Sequence, residues 1–375
     1  MRFLLLFILC SPIFGWGQKL ADPLATKRTK ALFLNLQKAA AESKILFGHQ
    51  DDLAYGVGWQ QIKGGSDVRF TCGDYPAVYG WELGNLEHDS TANLDNVNFK
   101  QMKNWIKEGY ERGGVITLSW HMDNYHTAGS AWDTTAAVKD ILPGGAKHER
   151  YKQDLDRFAH FVGDLKSGGL FNKHAIPVIF RPFHEHTGAW FWWGATHVTP
   201  DDFKALWRFT VTYLRDEKKL HQVLYSFSTS YNFKSEAEML AFYPGDEWVD
   251  MLGIDFYAND SSDQTWDEFR RVQSVLVKTA EARGKVPALT EFGFEGIPTP
   301  DWWTNVFLKN LLAEPILGRI AYACAWRNFN QKHHYVPYPG GVSATNFQAF
   351  FQHPNTLFES DLWNFYKMPK KNNSK

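Results

Sequence analysis

The chain is short of three things: cysteine, net charge and long apolar runs. It has 3 Cys in 375 residues, at Cys10, Cys72 and Cys324, too few for a disulfide framework. Cys72 and Cys324 could pair only if the fold brought them together, and two isolated buried thiols are the expectation. The 40 basic and 41 acidic residues leave a net charge of −1, which excludes the basic excess that nucleic acid or an anionic membrane surface would require. No internal repeat, low-complexity tract or Pro/Ser-rich linker interrupts Asp22–Lys367, so one domain is expected. The apolar run Phe3–Cys10 is too short to span a bilayer. With Arg2 before it and Gly15-Trp16-Gly17 after it, it has the form of a secretory signal peptide over residues 1–17, cut before Gln18. Bulky Leu9 before Cys10 speaks against a lipid anchor. The expectation is export to the periplasm or beyond, a single folded domain over 18–368, and a disordered tail over 369–375 (PKKNNSK).

Aromatic residues, by contrast, are abundant: 16% of the chain, with 16 Trp. Between them runs an alternation. Near-continuous apolar segments lie at Ile45–His49, Ala77–Leu83, Val115–His121, Ile176–His184, Val223–Ser228, Met251–Tyr257, Ala288–Phe292 and Ile320–Trp326. Amphipathic segments lie at Phe99–Arg112, Tyr151–Lys166, Asp202–Lys218, Trp266–Arg283 and Trp302–Leu312. Strands buried on both faces read this way, and eight of them alternating with helices predict an α/β fold, a (β/α)8 TIM barrel. A doubly wound open sheet is the alternative, but no Gly-rich phosphate turn follows the first strand.

A barrel carries its active site at the C-terminal ends of its strands. Those ends are crowded here: His49-Gln50-Asp51, Trp81-Glu82, Trp120-His121, Glu185, Asp255-Tyr257, Glu291 and Trp326-Arg327. Glu185 and Glu291, beside aromatic residues on strands 4 and 7, suit glycosidic cleavage, which needs one carboxyl to protonate the departing oxygen and a carboxylate across the sugar ring. Glu185 is read as acid/base and Glu291 as nucleophile, the latter with Tyr257 and Arg181 as donors. Simpler readings are a Glu185–Arg181 ion pair, a strand-end ion pair at Glu291, or Glu295 as the true second carboxylate. His184-Glu185-His186 also permits a metal site with His121 and His126, although Trp326-Arg327 stands where strand 8 would have to supply an aspartate. His121 and His184 are better read as donors to sugar hydroxyls or to the carboxylates. Trp190, Trp326, Trp132 and Tyr257 could stack on sugars, whereas Trp192 and Trp193 are expected in the core. The long segments Met122–Arg150 and Asn328–Asn346 would wall the groove.

RPFHEHTGAWFWWG (Arg181–Gly194), GIDFY (Gly253–Tyr257), LTEFG (Leu289–Gly293) and AWRN (Ala325–Asn328) resemble segments of glycoside hydrolase family 26, chiefly β-mannanases of clan A. FGHQDD (Phe47–Asp52), SWHMDN (Ser119–Asn124) and LPGGAKHERY (Leu142–Tyr151) add to the resemblance, in the family's order. His186-Thr187 departs from it. The resemblance implies a retaining barrel enzyme with Glu185 and Glu291 in the roles above. His121, His184, Trp190, Tyr257 and Trp326 would line the subsite of attack, with Asp255 nearby and Arg327 one sugar further out. It implies no metal and no organic cofactor, and a substrate of β-1,4-mannan, galactomannan or manno-oligosaccharide. A β-1,3-xylanase, a mixed-linkage glucanase and a non-catalytic carbohydrate-binding barrel are the alternatives.

Overall fold

The computed structural model describes residues 20–169 and 172–370. The signal peptide expected over 1–17 and most of the tail expected over 369–375 lie outside them. Eight strands form the centre: β1 Ile45–Gln50, β2 Val78–Glu82, β3 Val115–Ser119, β4 Val178–Arg181, β5 Val223–Ser230, β6 Met251–Tyr257, β7 Val286–Gly293 and β8 Tyr322–Ala325. Each pairs in parallel with the next, and β8 closes onto β1 from Leu46↔Tyr322 to His49↔Ala325. The sheet is therefore a closed barrel, as expected. Almost every residue of the eight strands is buried, which is why they read as apolar runs rather than as alternation.

The surrounding helices include α1 Lys27–Ala41, α2 Phe99–Arg112, α3 His148–Gly163, α4 Pro200–Thr212, α5 Asp263–Ala282 and α6 Ala344–Phe351. Their starts are chemically marked. Thr26, Asn98, Thr199 and Ser262 each accept a hydrogen bond from a first-turn backbone N–H, and Pro200 follows Thr199, where its missing N–H is harmless. The expected segment over 302–312 is largely a π-helix, Trp302–Leu308, and the one over 202–218 turns from α to π at Tyr213. Helix α1 escaped the sequence reading, although Leu32, Phe33, Leu36, Ala39 and Ala40 make a buried stripe at helical spacing.

β3 and β4 end more than one residue before their apolar runs do. β4 stops at Arg181 because Pro182 cannot donate to a ladder and because Phe183 and Glu185 lie in the left-handed region, at φ 49° and 53°. β3 stops at Ser119, where the His121 N–H turns to the Glu82 side chain at 2.8 Å rather than to a neighbouring strand. Cys72 and Cys324 are both buried and free. Phe47 on β1 shows how the barrel is keyed to its outer layer. It stacks on Phe358 at 5.1 Å and meets the edges of Phe347, Phe350 and Trp303 at 5.3–5.7 Å. We expect Phe47→Ala to lower the unfolding free energy by about 3–5 kcal/mol, measured by denaturant titration.

Candidate active site

The C-terminal ends of three strands, β4, β6 and β7, bring three acids and one base together. Arg181, the last residue of β4, donates from Nη1 to both oxygens of Asp255 on β6, at 3.2 and 3.1 Å. Its Nη2 donates to Oε1 of Glu291 on β7. Tyr257 donates from its hydroxyl to Glu291 Oε2 at 2.8 Å. Arg181 therefore serves Asp255 and Glu291, and the simple Glu185–Arg181 ion pair is not formed. Thr290 adds a 2.6 Å bond to Asp255. This packing explains a glycine: a Cβ on Gly253 would lie 2.5 Å from the Thr290 hydroxyl, so GIDFY needs no side chain there.

Glu185 stands on the turn beyond β4 rather than at the strand end. Its left-handed backbone, an uncommon state for a non-glycine residue, is held by Glu185 N–H to Ser228 O at 3.0 Å and Gly188 N–H to Glu185 O at 2.8 Å. The Trp193 indole N–H donates to His184 O at 2.8 Å. The Glu185 carboxyl takes its hydrogen bond from the Trp190 indole N–H, at 2.6 Å. One carboxylate oxygen each of Glu185, Asp255 and Glu291 lies within 4.8 Å of the other two. Withdrawal from water, then repulsion by Asp255 and Glu291, raises the Glu185 carboxyl well above the usual carboxylate range, against the opposing pull of Trp190. Burial, only partly offset by Arg181, pushes Asp255 up to about 7. The pocket thus holds one guanidinium against three carboxyls. Glu185, without direct contact to the guanidinium, is the one best able to keep a proton at neutral pH.

A second network adjoins the first. His121 bonds Glu82 through Nδ1 at 2.8 Å and His184 through Nε2, at 3.1 Å, so both its ring nitrogens are engaged within the protein. His184 Nδ1 is buried without a partner. Trp132, 52% exposed, stacks on His121 at 5.1 Å with 11° between planes. Trp190 is also exposed, while Trp192 and Trp193 are buried. Trp326 and Arg327 directly follow β8 and are half-buried. Arg327 Nη2 meets Asp95 Oδ1 at 3.1 Å.

The other candidates fall elsewhere. Glu295 pairs with His333 at 2.6 Å, largely exposed, outside the acid cluster. His126 pairs with Asp140 at 2.8 Å. His186 packs against Phe203, Phe227 and Phe242. Of the four histidines in the metal reading only His121 and His184 meet, and the Arg181 guanidinium bridges Asp255 and Glu291 within the acid group. Glu82 entered the sequence reading only as a polar strand end, and Asp95 did not enter it. Their signal was the density of polar residues behind β2. Removing the indole N–H in Trp190→Phe takes away the donor that favours the charged Glu185. We expect the Glu185 protonation midpoint to move to higher pH, followed by carboxyl carbon NMR. An unchanged or lower midpoint would contradict the assignment.

The sequence pattern of glycosyl hydrolase family 26 matches residues 21–306. A mannan endo-1,4-beta-mannosidase of Bifidobacterium adolescentis is 36% identical over 92% of this chain and 36% of its own length. One of Bacillus subtilis strain 168 is 29% identical over 52% and 54%. The chain therefore spans between about a third and a half of these two relatives. Among solved structures, a GH26 beta-mannanase from Bacteroides ovatus superposes with a TM-score of 0.87 at 39% identity, covering 92% of this chain and 98% of that one. A modular endo-beta-1,4-mannanase from Cellulomonas fimi gives 0.86 at 34%, covering 93% and 79%. With this pattern matched along most of its length and relatives of the same barrel at this identity, the chain belongs to glycosyl hydrolase family 26.

Proposed function

We propose that the protein is a retaining β-mannanase, hydrolysing β-1,4-mannosidic linkages by double displacement. The observation that carries this reading is the pair Glu185 and Glu291, with carboxylate oxygens within 4.8 Å and opposite surroundings. Retaining pairs sit roughly 5–5.5 Å apart and inverting pairs roughly 6.5–9.5 Å. Glu291, bonded by Arg181 and Tyr257, is the nucleophile. Glu185, kept protonated, is the acid.

In the first step Glu291 attacks the anomeric carbon while the Glu185 proton passes to the departing oxygen. The product is a glycosyl ester on Glu291 and a carboxylate on Glu185. Esterification removes the Glu291 charge, one of the causes that raise Glu185, so the group released as a base has a reason to stay one. Glu185 then deprotonates a water, which opens the ester with net retention. Trp190, Trp326, Trp132 and Tyr257 supply apolar faces for sugar rings. His184 offers Nδ1, Asp255 acts through Arg181, and Arg327, braced by Asp95, takes the sugar beyond. His121 acts through its neighbours, because both its nitrogens are engaged. No metal or organic cofactor enters these steps. The choice of mannan over xylan or glucan is supported by the names of the relatives. Export is supported by Arg2, the run Phe3–Cys10 and Gly15-Trp16-Gly17. Among the described residues no helix is long and apolar enough to cross a membrane.

A time course on linear β-1,4-mannohexaose tests the reading, with early products resolved by length. Dimer, trimer and tetramer from the start would indicate an open groove and internal cleavage. Dimer alone would indicate one closed by its loops. Absence of cleavage by the folded protein would overturn the mannanase assignment. We expect Glu291→Ala to lose on the order of 10⁴-fold or more in kcat with folding intact. Glu185→Ala should lose about 10²–10⁴-fold on mannan and much less in the first step of an aryl mannobioside, whose leaving group needs no proton.

A further inference from the structure

Glu82 is a fully buried acid near the cleft, and the reaction above does not use it. The end residue of β2, it has no exposed surface. Its carboxylate nevertheless receives four donors. Gly84 N–H and His121 N–H approach Oε1 at 2.6 and 2.8 Å. Ser119 Oγ–H and His121 Nδ1–H approach Oε2 at 2.7 and 2.8 Å. A buried carboxyl so surrounded is built to be ionised, and His121 and the other donors hold it down at about 2 in spite of its burial.

An ionised carboxylate only accepts, so His121 must carry a hydrogen on Nδ1. Its Nε2 faces His184 Nε2 at 3.1 Å, and one of these two atoms must donate. His184 lies beside Arg181 and His121, and burial, then their positive charges, hold it well below the ordinary imidazole range. It is therefore neutral, with one N–H. For His121 burial acts against the charge, but Glu82 first, then Glu291 and Asp95, prevail and raise it. The ring is enclosed by Trp132 in parallel stacking and by the edge of Phe191. Glu82, Glu291, Asp95 and His184 are the titratable groups that act on it. If His121 carries both hydrogens, its Nε2–H donates to His184 Nε2. The single hydrogen of His184 then sits on Nδ1, the atom without a protein partner.

We propose that Glu82 is a positioning residue that keeps His121 doubly protonated and thereby presents His184 Nδ1–H as a donor to a substrate hydroxyl. The proposal rests on the mannanase reading for what the donor meets, but not for the proton arrangement itself. Glu82 touches no reacting atom; it acts through two rings, from β2 across the loop after β3 to the turn after β4.

The test begins with the unaltered protein, so it does not depend on a variant folding. Ring-nitrogen NMR of the histidines at pH 7 should show both nitrogens of His121 protonated and His184 neutral with hydrogen on Nδ1. Glu82→Gln keeps the shape and removes the charge, so His121 should lose its second proton at lower pH. The alkaline limb of kcat on mannohexaose should move the same way, with a fall in kcat of about 10-fold or more at pH 7 and retained cooperative unfolding. Glu82→Asp, which keeps the charge, should restore most of the limb. A neutral His121 at pH 7 in the unaltered protein would overturn the proposal. So would a Glu82→Gln enzyme with the original kcat and limb. A doubly protonated His121 in a folded protein that cleaves no mannan would instead leave the proton arrangement standing and remove the mannanase reading.

Discussion

Arg181 leaves the end of β4 and places one guanidinium between Asp255 and Glu291, with Glu185 close by. Three carboxyls withdrawn from water cannot all be charged around a single cation, because like charges at this spacing repel strongly in a medium of low dielectric. The shortage is resolved by position. Glu291 has two donors, Arg181 and Tyr257. Asp255 has Arg181 and Thr290. Glu185 has a neutral indole N–H alone, so protonating it costs least. On the proposed reading, the division into one acid and one nucleophile follows from where the guanidinium reaches.

The backbone supports the same division. Glu291 sits inside β7, paired in register with Asp255 on β6, so its place is fixed by a ladder. Glu185 sits on a turn with two left-handed residues, held by single bonds to Ser228 and Gly188. Such a conformation persists only where surrounding contacts enforce it, and the buried Trp192 and Trp193 supply them. Their indoles bond Met122 O and His184 O at 2.9 and 2.8 Å, tying the turn to the loop after β3. On the proposed reading, a ladder suits an atom that must attack along one line, and a braced turn suits a group that must face first a leaving oxygen and then a water.

The barrel was legible because its strands are buried on both faces and leave unbroken apolar runs. Boundaries were less so, and the failures have causes. Pro182 in Arg181-Pro182-Phe183 marked the end of β4, but the apolar residues around it carried the predicted strand on to His184. At the end of β3 a side chain, Glu82, replaces a ladder partner, and no local pattern announces that. Glu185, Glu291, Trp190 and Tyr257 could be named because acids and aromatics at strand ends have few structural uses. The place of Arg181 between Asp255 and Glu291, and the ties of Glu82 to His121 and of Asp95 to Arg327, could not. They join residues from different strands, and one sequence does not record which side chains meet. His121 shows the consequence: in the sequence it reads as a donor to a sugar hydroxyl or to the carboxylates, and nothing local announces that its nitrogens meet Glu82 and His184.

Trp190 links recognition to proton transfer on the proposed reading. Its ring is exposed, while its N–H is bonded to Glu185. A sugar stacked on the ring would cover that bond and exclude water around the carboxyl. Loss of water favours the neutral acid, so an occupied cleft holds the proton more firmly than an empty one until the leaving oxygen takes it. Formation of the ester on Glu291 then removes a repelling charge and favours the carboxylate. The two changes act in opposite directions and in the order the reaction needs. Neither requires the protein to move, because each follows from what the substrate covers or what the nucleophile has become.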